Sequence, residues 1–265
     1  MHLKMELHPN FKLKGNSFTK EELLSVSYSL IKEGEAFEGP IGDFLLDWLG
    51  NSKSIQVQTS GSTGKPKTIL LNKEHMVNSA LATGEFFGLS EGMSALLCLP
   101  ADYIAGKMML VRAMVLGLEL DYTIPDSTPL KTKGKPYDFC AMVPLQAENS
   151  LTELSRIEVL IIGGAPVSKA LKEKLGNIPT QIFETYGMTE TISHIAAKKI
   201  TGNPMENGVF ELLPQVAIRT DDRGCLVVDC PAVSKQTIVT NDLVTILDRK
   251  HFQWYGRWDT VINSG

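Results

Sequence analysis

Ala95-Leu96-Leu97-Cys98-Leu99 is an unbroken apolar run, and its reading decides the fold. A strand with one solvated face alternates apolar and polar side chains, so a continuous run requires cover on both faces. The same signature returns at Phe139 to Val143 and at Val159 to Ile162. A helical pattern over Ala105 to Leu116 and a strand over Leu118 to Thr123 lie between them. This alternation predicts an α/β fold, mainly parallel sheets flanked by helices, with active groups on loops at the strand ends.

Toward the N-terminus, Thr19 and Glu22 have capping-box spacing at the head of a helix over Thr19 to Lys32, with Leu23, Val26 and Leu30 on one face. A second amphipathic helix, Ile41 to Leu49, turns Phe44, Leu45 and Trp48 inward. Asn72 caps a third, whose apolar stripe is Met76, Val77, Ala80, Leu81 and Phe87. His75 is expected at its surface. Toward the C-terminus the style changes after Val209. Short strands at Val216 to Arg219, Cys225 to Val228, Thr237 to Val239 and Leu243 to Leu247, with Gly and Asp turns, predict a small antiparallel barrel or sheet. The chain therefore divides into an α/β core over 1–207 and a small β-barrel-like region over 208–260. The polar segment Pro125 to Pro136 is too short to separate domains.

The 265 residues are 43% hydrophobic and 21% charged, enough for a sizeable core. A net charge of −4 without a long basic run argues against a nucleic-acid partner. Cys98, Cys140, Cys225 and Cys230 contain no C-x-x-C pair and read as buried free thiols of a reducing compartment. No signal-peptide core or membrane span is legible, so a cytoplasmic location is expected. Oligomeric state is not set by the sequence, and a homodimer is compatible with it.

Between the apolar segments Ile55 to Gln58 and Thr68 to Leu71 lies Thr59-Ser60-Gly61-Ser62-Thr63-Gly64-Lys65-Pro66-Lys67. Glycines free successive N–H groups to converge, hydroxyls add neutral donors and lysines add charge, a composition suited to a polyphosphate. An ordinary hairpin turn would not require Lys65 and Lys67 beside hydroxyls on both sides of Gly61. A Walker A loop is excluded, because Pro66 stands where a Mg²⁺-binding Ser or Thr is needed and the spacing is G-x-x-G-K.

Three further segments follow in order. Leu160-Ile161-Ile162-Gly163-Gly164-Ala165-Pro166 is a strand running into two glycines, where backbone can approach a ligand. Tyr186-Gly187-Met188-Thr189-Glu190 supplies a stacking face, a tight turn, a hydroxyl donor and a carboxylate. Thr240-Asn241-Asp242 and Gly256-Arg257-Trp258-Asp259 supply a carboxylate for two ribose hydroxyls and a guanidinium.

Together with the Thr59 to Lys67 loop, these segments resemble the acyl-adenylate-forming (AMP-binding) enzymes. The resemblance implies that Thr59, Ser60, Gly61, Ser62, Thr63, Gly64, Lys65 and Lys67 hold the β- and γ-phosphates of ATP. It further implies that Gly163, Gly164 and Ala165 form a wall of the adenine and acyl pocket, and that Tyr186 and Gly187 receive the adenine. Thr189 is implied at the α-phosphate, Glu190 at Mg²⁺, and Asp242 with Arg257 at the ribose. Thr189, Glu190 and Lys65 are the implied catalytic set. Asn241 stands where the family commonly has Gly, a residue that also tolerates left-handed backbone.

The resemblance also implies that 208–260 closes the same large domain, that 261–265 starts a hinge, and that the family's small C-terminal domain, with its bridging lysine and CoA-admitting surface, is expected beyond it. Weak adenylation and no thioester formation are expected without it. In Leu99-Pro100-Ala101-Asp102-Tyr103-Ile104-Ala105-Gly106-Lys107, Tyr103 takes the place of the family's acyl-pocket gate. The stretches around Lys107 and Arg112, and from Thr189 to Ala196, resemble the o-succinylbenzoate:CoA ligases of menaquinone biosynthesis. That substrate has two carboxylates, one to be activated and one to be recognised. Lys107, Arg112 or His194 would recognise the second, with Gly163 and Met188 also at the acyl group, and CoA would be the co-substrate. Lys107 and Arg112 only roughly share a helical face, so one is expected inward and one toward solvent. Another aryl or acyl carboxylate, or a noncatalytic nucleotide-binding module, are the alternatives.

Overall fold

The computed structural model describes residues 7–59, 67–131, 134–202 and 208–261. The loop residues Ser60, Gly61, Ser62, Thr63, Gly64, Lys65 and Pro66 lie outside the described residues, as do 262–265, and Thr59 and Lys67 are described by their backbone alone.

A small hairpin, β1 (Lys12–Leu13) and β2 (Asn16–Ser17), leads into α1 (Lys20–Lys32). Thr19 Oγ1 accepts from the Glu22 N–H at 3.2 Å while the Thr19 N–H donates to Glu22 Oε2 at 2.8 Å, the capping box its spacing predicts. Helix α2 (Gly39–Leu49) packs against α1 and buries Phe44, Leu45 and Trp48. Strands β3 (Ser54–Thr59) and β4 (Lys67–Asn72) form an antiparallel hairpin in which Thr59 lies opposite Lys67, so the ends of the Thr59 to Lys67 segment are adjacent strand residues. Asn72 then caps α3 (Lys73–Phe87), its side chain accepting from the Glu74 N–H.

Lys73 is fully buried, which its place in a polar stretch did not suggest. Its ammonium donates to the Trp48 and Gly50 carbonyls at 2.8 and 2.9 Å, at the end of α2 where carbonyls lack helical partners and the helix dipole is negative. His75 is half-buried rather than on the surface, and burial lowers its pKa.

The centre alternates as expected: β5 (Ser94–Leu97), α4 (Ile104–Leu116), β6 (Glu119–Tyr122), β7 (Tyr137–Met142), α5 (Pro144–Asn149), β8 (Ile157–Ile162), α6 (Lys169–Leu175) and β9 (Gln181–Gly187). Strands β1, β6, β5, β7, β8 and β9 lie side by side and parallel. Their apolar runs divide between two cores. Leu97, Phe139 and Ile161 join one with Met108, Leu110 and Val111 of α4, while Leu96, Cys140 and Leu160 join another with Ala147 of α5 and Leu171 of α6. Both faces are covered, the physical requirement of a continuous apolar strand. All four cysteines are buried and free.

The remaining strands are β10 (His194–Lys199), β11 (Phe210–Leu212), β12 (Ala217–Thr220), β13 (Cys225–Asp229), β14 (Ile238–Ile246) and β15 (His251–Arg257). They pair antiparallel and continue the main sheet through β9 and β10, making one sheet of 13 strands. The two strands expected at Thr237 to Val239 and Leu243 to Leu247 are the single strand β14. The intervening polar residues stay extended because Asp242 pairs opposite Arg257 and Thr240 Oγ1 donates to the Leu226 carbonyl at 2.8 Å. Among the described residues no helix is long and apolar enough to cross a membrane.

Candidate active site

A crevice of about 520 Å³ opens where the parallel strands give way to antiparallel ones. One wall is the turn after β8, with Gly164, Ala165 and Pro166. The floor is the end of β9 with Glu184, Thr185, Tyr186, Gly187 and Met188, and the other wall is Thr240, Asn241, Asp242, Trp254 and Arg257 of the β14–β15 pair. Glu190 stands at its edge, exposed. Residues as far as 93 positions apart in sequence, Gly164 and Arg257, thus meet at the carboxyl end of the parallel strands, where open α/β sheets place ligands.

Local chemistry fixes each part. Gly164 has φ +83°, a conformation an L side chain seldom adopts. Gly163 sits just behind it, its N–H donating to the Met142 carbonyl at 3.1 Å. A Cβ at Gly187 would strike the Ser193 carbonyl, so strand β9 can meet the returning β10 only with glycine there. Thr189 opens the short turn between them and is half-buried. That turn ends at Ile192 with φ 67° and ψ −53°, and the Ser193 N–H donates to the Thr191 carbonyl at 2.7 Å. This is the strained, positive-φ form of γ-turn, rare for a β-branched residue and of the kind that collects at functional sites.

Asp242 is buried beneath two donors. The Tyr186 hydroxyl donates to Oδ2 at 2.7 Å and Trp254 Nε1 to Oδ1 at 3.1 Å. Burial first, and then the Asp242 charge and hydrogen bond, push the Tyr186 phenol far up, so it remains a donor. Trp254 was not foreseen. Residues three apart in a regular strand face opposite ways, but the β14–β15 register slips by one residue between Leu243 and Val244, leaving Tyr255 as the extra residue. That bulge brings Trp254 and Arg257 to the same crevice.

Glu184 was also missed. Its Oε1 accepts from the Val167 N–H at 3.0 Å, and its Oε2 lies 2.8 Å from Lys172 Nζ and 3.0 Å from Lys198 Nζ. Burial alone would raise the carboxyl pKa, but Lys172, Lys198 and the Val167 N–H together hold it below the usual value. This knot ties the glycine turn to β9 and β10 behind Tyr186. The legible signal was Glu184 inside the otherwise apolar face of a strand; its partners are distant in sequence.

Behind Gly187 and Ser193 lies a second polar group. Arg112 of α4 is 2% exposed. It donates to Ser193 Oγ at 2.6 Å and to Thr83 Oγ1 at 3.3 Å, and its NH2 is 3.5 Å from His194 Nδ1. Among the described residues no carboxylate pairs with it, and burial alone brings its pKa down to about 10. His194 is pushed well below the usual range by burial and then by Arg112, so its imidazole is neutral. An arginine facing Nδ1 makes that nitrogen the acceptor and leaves the proton on Nε2, 3.5 Å from Thr83 Oγ1. Lys107 does not join this group. It is half-buried rather than solvated, its ammonium donating to the Ala101 carbonyl at 2.6 Å and lying 5.3 Å from the Phe44 ring centroid. Tyr103, 54% exposed, precedes α4 and does not line the crevice.

The buried parallel strands, with the glycine turn and Tyr186, Asp242 and Arg257 gathered at their carboxyl end, define an α/β protein with a ligand crevice at the edge of its parallel sheet. The profile of the AMP-binding enzyme family matches residues 57–230, and the chain belongs to that family. It is similar to the 2-succinylbenzoate–CoA ligase of Listeria monocytogenes serotype 4b (strain F2365), 30% identical over 190 residues that cover 68% of this chain and 40% of that protein. The ligase of the same name from Geobacillus sp. (strain WCH70) is 30% identical over 150 residues, covering 52% of this chain and 30% of that protein. The chain thus spans two fifths or less of these relatives. Among solved structures, the acyl-CoA synthetase (AMP-forming)/AMP-acid ligase II-like protein from Dyadobacter fermentans DSM 18053 superposes with a TM-score of 0.79 at 38% identity, covering 88% of this chain and 68% of that one. The o-succinylbenzoate coenzyme A synthetase from Bacillus subtilis, in complex with ATP and magnesium, shares the fold at a TM-score of 0.67 and 19% identity over 91% of this chain and 63% of its own.

Proposed function

We propose that this chain is the nucleotide- and acyl-binding part of an AMP-forming acid:CoA ligase acting on o-succinylbenzoate. The observation that carries the substrate is Arg112. A buried cation is ordinarily paired, and among the described residues Arg112 meets neutral groups: Ser193, Thr83, Met109 and an uncharged His194. A second substrate carboxylate would complete the site, whereas a fatty acyl chain would leave the guanidinium unpaired. His194 and Arg112 are the recognising pair in this reading, with Met188 and Gly163 nearer the activated carboxylate.

In the first half-reaction one carboxylate oxygen attacks the α-phosphorus of ATP and pyrophosphate leaves. In the second, the CoA thiol displaces AMP to give the thioester. Tyr186 and the Gly163 to Ala165 turn hold the base, Asp242 and Arg257 the ribose, and Thr189 the α-phosphate. Thr59, Ser60, Ser62, Thr63, Lys65 and Lys67 align and neutralise the outer phosphates. Mg²⁺ suits Glu190, an exposed carboxylate at the crevice edge. Among the described residues no group of three His, Cys, Asp or Glu could hold a metal, and Mg²⁺ commonly takes one or two carboxylates with substrate phosphates. When bound it neutralises phosphate charge.

The test is thermal stability with nonhydrolysable o-succinylbenzoyl-, benzoyl- and octanoyl-adenylate analogues. At a hundredfold excess over Kd a ligand adds about 2.7 kcal/mol of stability. A shift with the first alone is expected. Equal shifts with all three would leave adenylate binding standing and remove the substrate, and no shift with any would remove the site.

A further inference from the structure

The carboxylate of Asp242 is fixed from two sides before any ligand arrives. Tyr186 occupies one lone pair of Oδ2 and Trp254 one of Oδ1. A carboxylate has about four acceptor positions, so one more remains on each oxygen, while the fixed donors come from Tyr186 at the floor of the crevice and from Trp254 on β15. Two acceptors in one plane match the two vicinal hydroxyls of a ribose. The orientation depends on the bulge at Tyr255: without the extra residue, Trp254 and Arg257 could not both face Asp242.

We propose that Trp254 is a positioning residue for nucleotide binding, acting through its indole N–H to hold the Asp242 carboxylate in the plane that accepts the ribose diol. It rests on the nucleotide reading above. Trp254 itself is not required to touch the sugar. Losing the N–H frees the carboxylate to rotate about its terminal torsion, so the diol must be bound by a group no longer aligned for it.

The test compares AMP with 2′,3′-dideoxy-AMP, which lacks both hydroxyls, by calorimetric titration of the wild type and of Trp254→Phe, with thermal unfolding to establish that the variant is folded. We expect Trp254→Phe to weaken AMP about tenfold, the scale of a hydrogen bond to a charged group, and to leave the dideoxy nucleotide within about twofold. In an Asp242→Ala background the same substitution should no longer affect AMP, because the partner it acts through is gone. Equal weakening of both nucleotides would make Trp254 a packing wall and overturn the inference, as would unchanged or tighter AMP binding. Trp254→Leu repeats the comparison should the phenylalanine variant not fold. A wild type that fails to distinguish the two nucleotides would overturn the ribose assignment of Asp242, and this inference with it.

Discussion

Replacing Arg112 by methionine should make the ligand-free protein more stable and its substrate binding worse. The fall of its pKa from the ordinary guanidinium value to about 10 corresponds to about 3 kcal/mol against the buried cation at 1.36 kcal/mol per pKa unit. Because the guanidinium is charged in both folded and unfolded chains at neutral pH, that cost is present in full below pH 10 and fades only as pH rises through about 10. Methionine removes the cost but also the bond to Ser193 Oγ, worth about 1 kcal/mol. The Thr83 hydroxyl keeps its bond to the Ser79 carbonyl. The net gain is about 1–2 kcal/mol, or roughly 2–8 °C in Tm at this chain length. The o-succinylbenzoyl-adenylate analogue should lose its charge-assisted contact, about 2–3 kcal/mol or roughly 30- to 150-fold in Kd. Calorimetric unfolding and titration read both numbers. An Arg112→Met chain that is less stable and still prefers the o-succinylbenzoyl analogue would refute the reasoning, because the arginine would then be paid for by the protein alone.

Lys73→Met should lower stability by about 2–3 kcal/mol, since two carbonyls at the end of α2 lose a charged donor; a urea melt unchanged in midpoint would contradict this. Glu190→Gln should weaken nucleotide binding only when Mg²⁺ is present, which titration at varied Mg²⁺ would check. Glu184 has a carboxyl pKa held below its 4.5 reference, so its ion pairs stabilise the fold above that value and lose their effect as pH falls through the folded pKa. Glu184→Gln should therefore be less stable at pH 7 and show a shallower loss of stability below about pH 4.5 in acid unfolding.

Much of the fold was legible because its signals are local. An apolar run with no polar break can only be a strand covered twice, and Thr19 with Glu22 carries a helix start in four residues. The strand boundary at Thr240 was misread for the converse reason: three polar residues look like a turn until a partner strand supplies Arg257 opposite Asp242. Lys73, Glu184 and Trp254 were invisible as site or core residues because their partners lie 23, 12 and 12 residues or more away. That Gly164, Tyr186, Asp242 and Arg257 share one crevice could be anticipated, since each type has a donor, acceptor or ring suited to one part of a nucleotide. The bulge that re-aims Trp254 has no comparable signature, being a property of two strands in register. Likewise Lys107 and Arg112 share a helix, but only the packing of α2 and α3 around α4 decides which cation is left without an anion.

The γ-turn at Ile192 has a further meaning for how such a site can change. Only three residues separate Glu190, at the crevice edge, from His194, beside Arg112, and one of them is held at φ 67° by a bond across its own peptide units. A segment that short and already strained has no slack. On the function proposed above, altering the wall at Ser193 or His194 to fit another acid would pull on Glu190 through the same few bonds, so choice of acyl group and grip on the nucleotide would change together. A longer connection would leave room to rebuild one wall without disturbing the other; here the two are a single mechanical part.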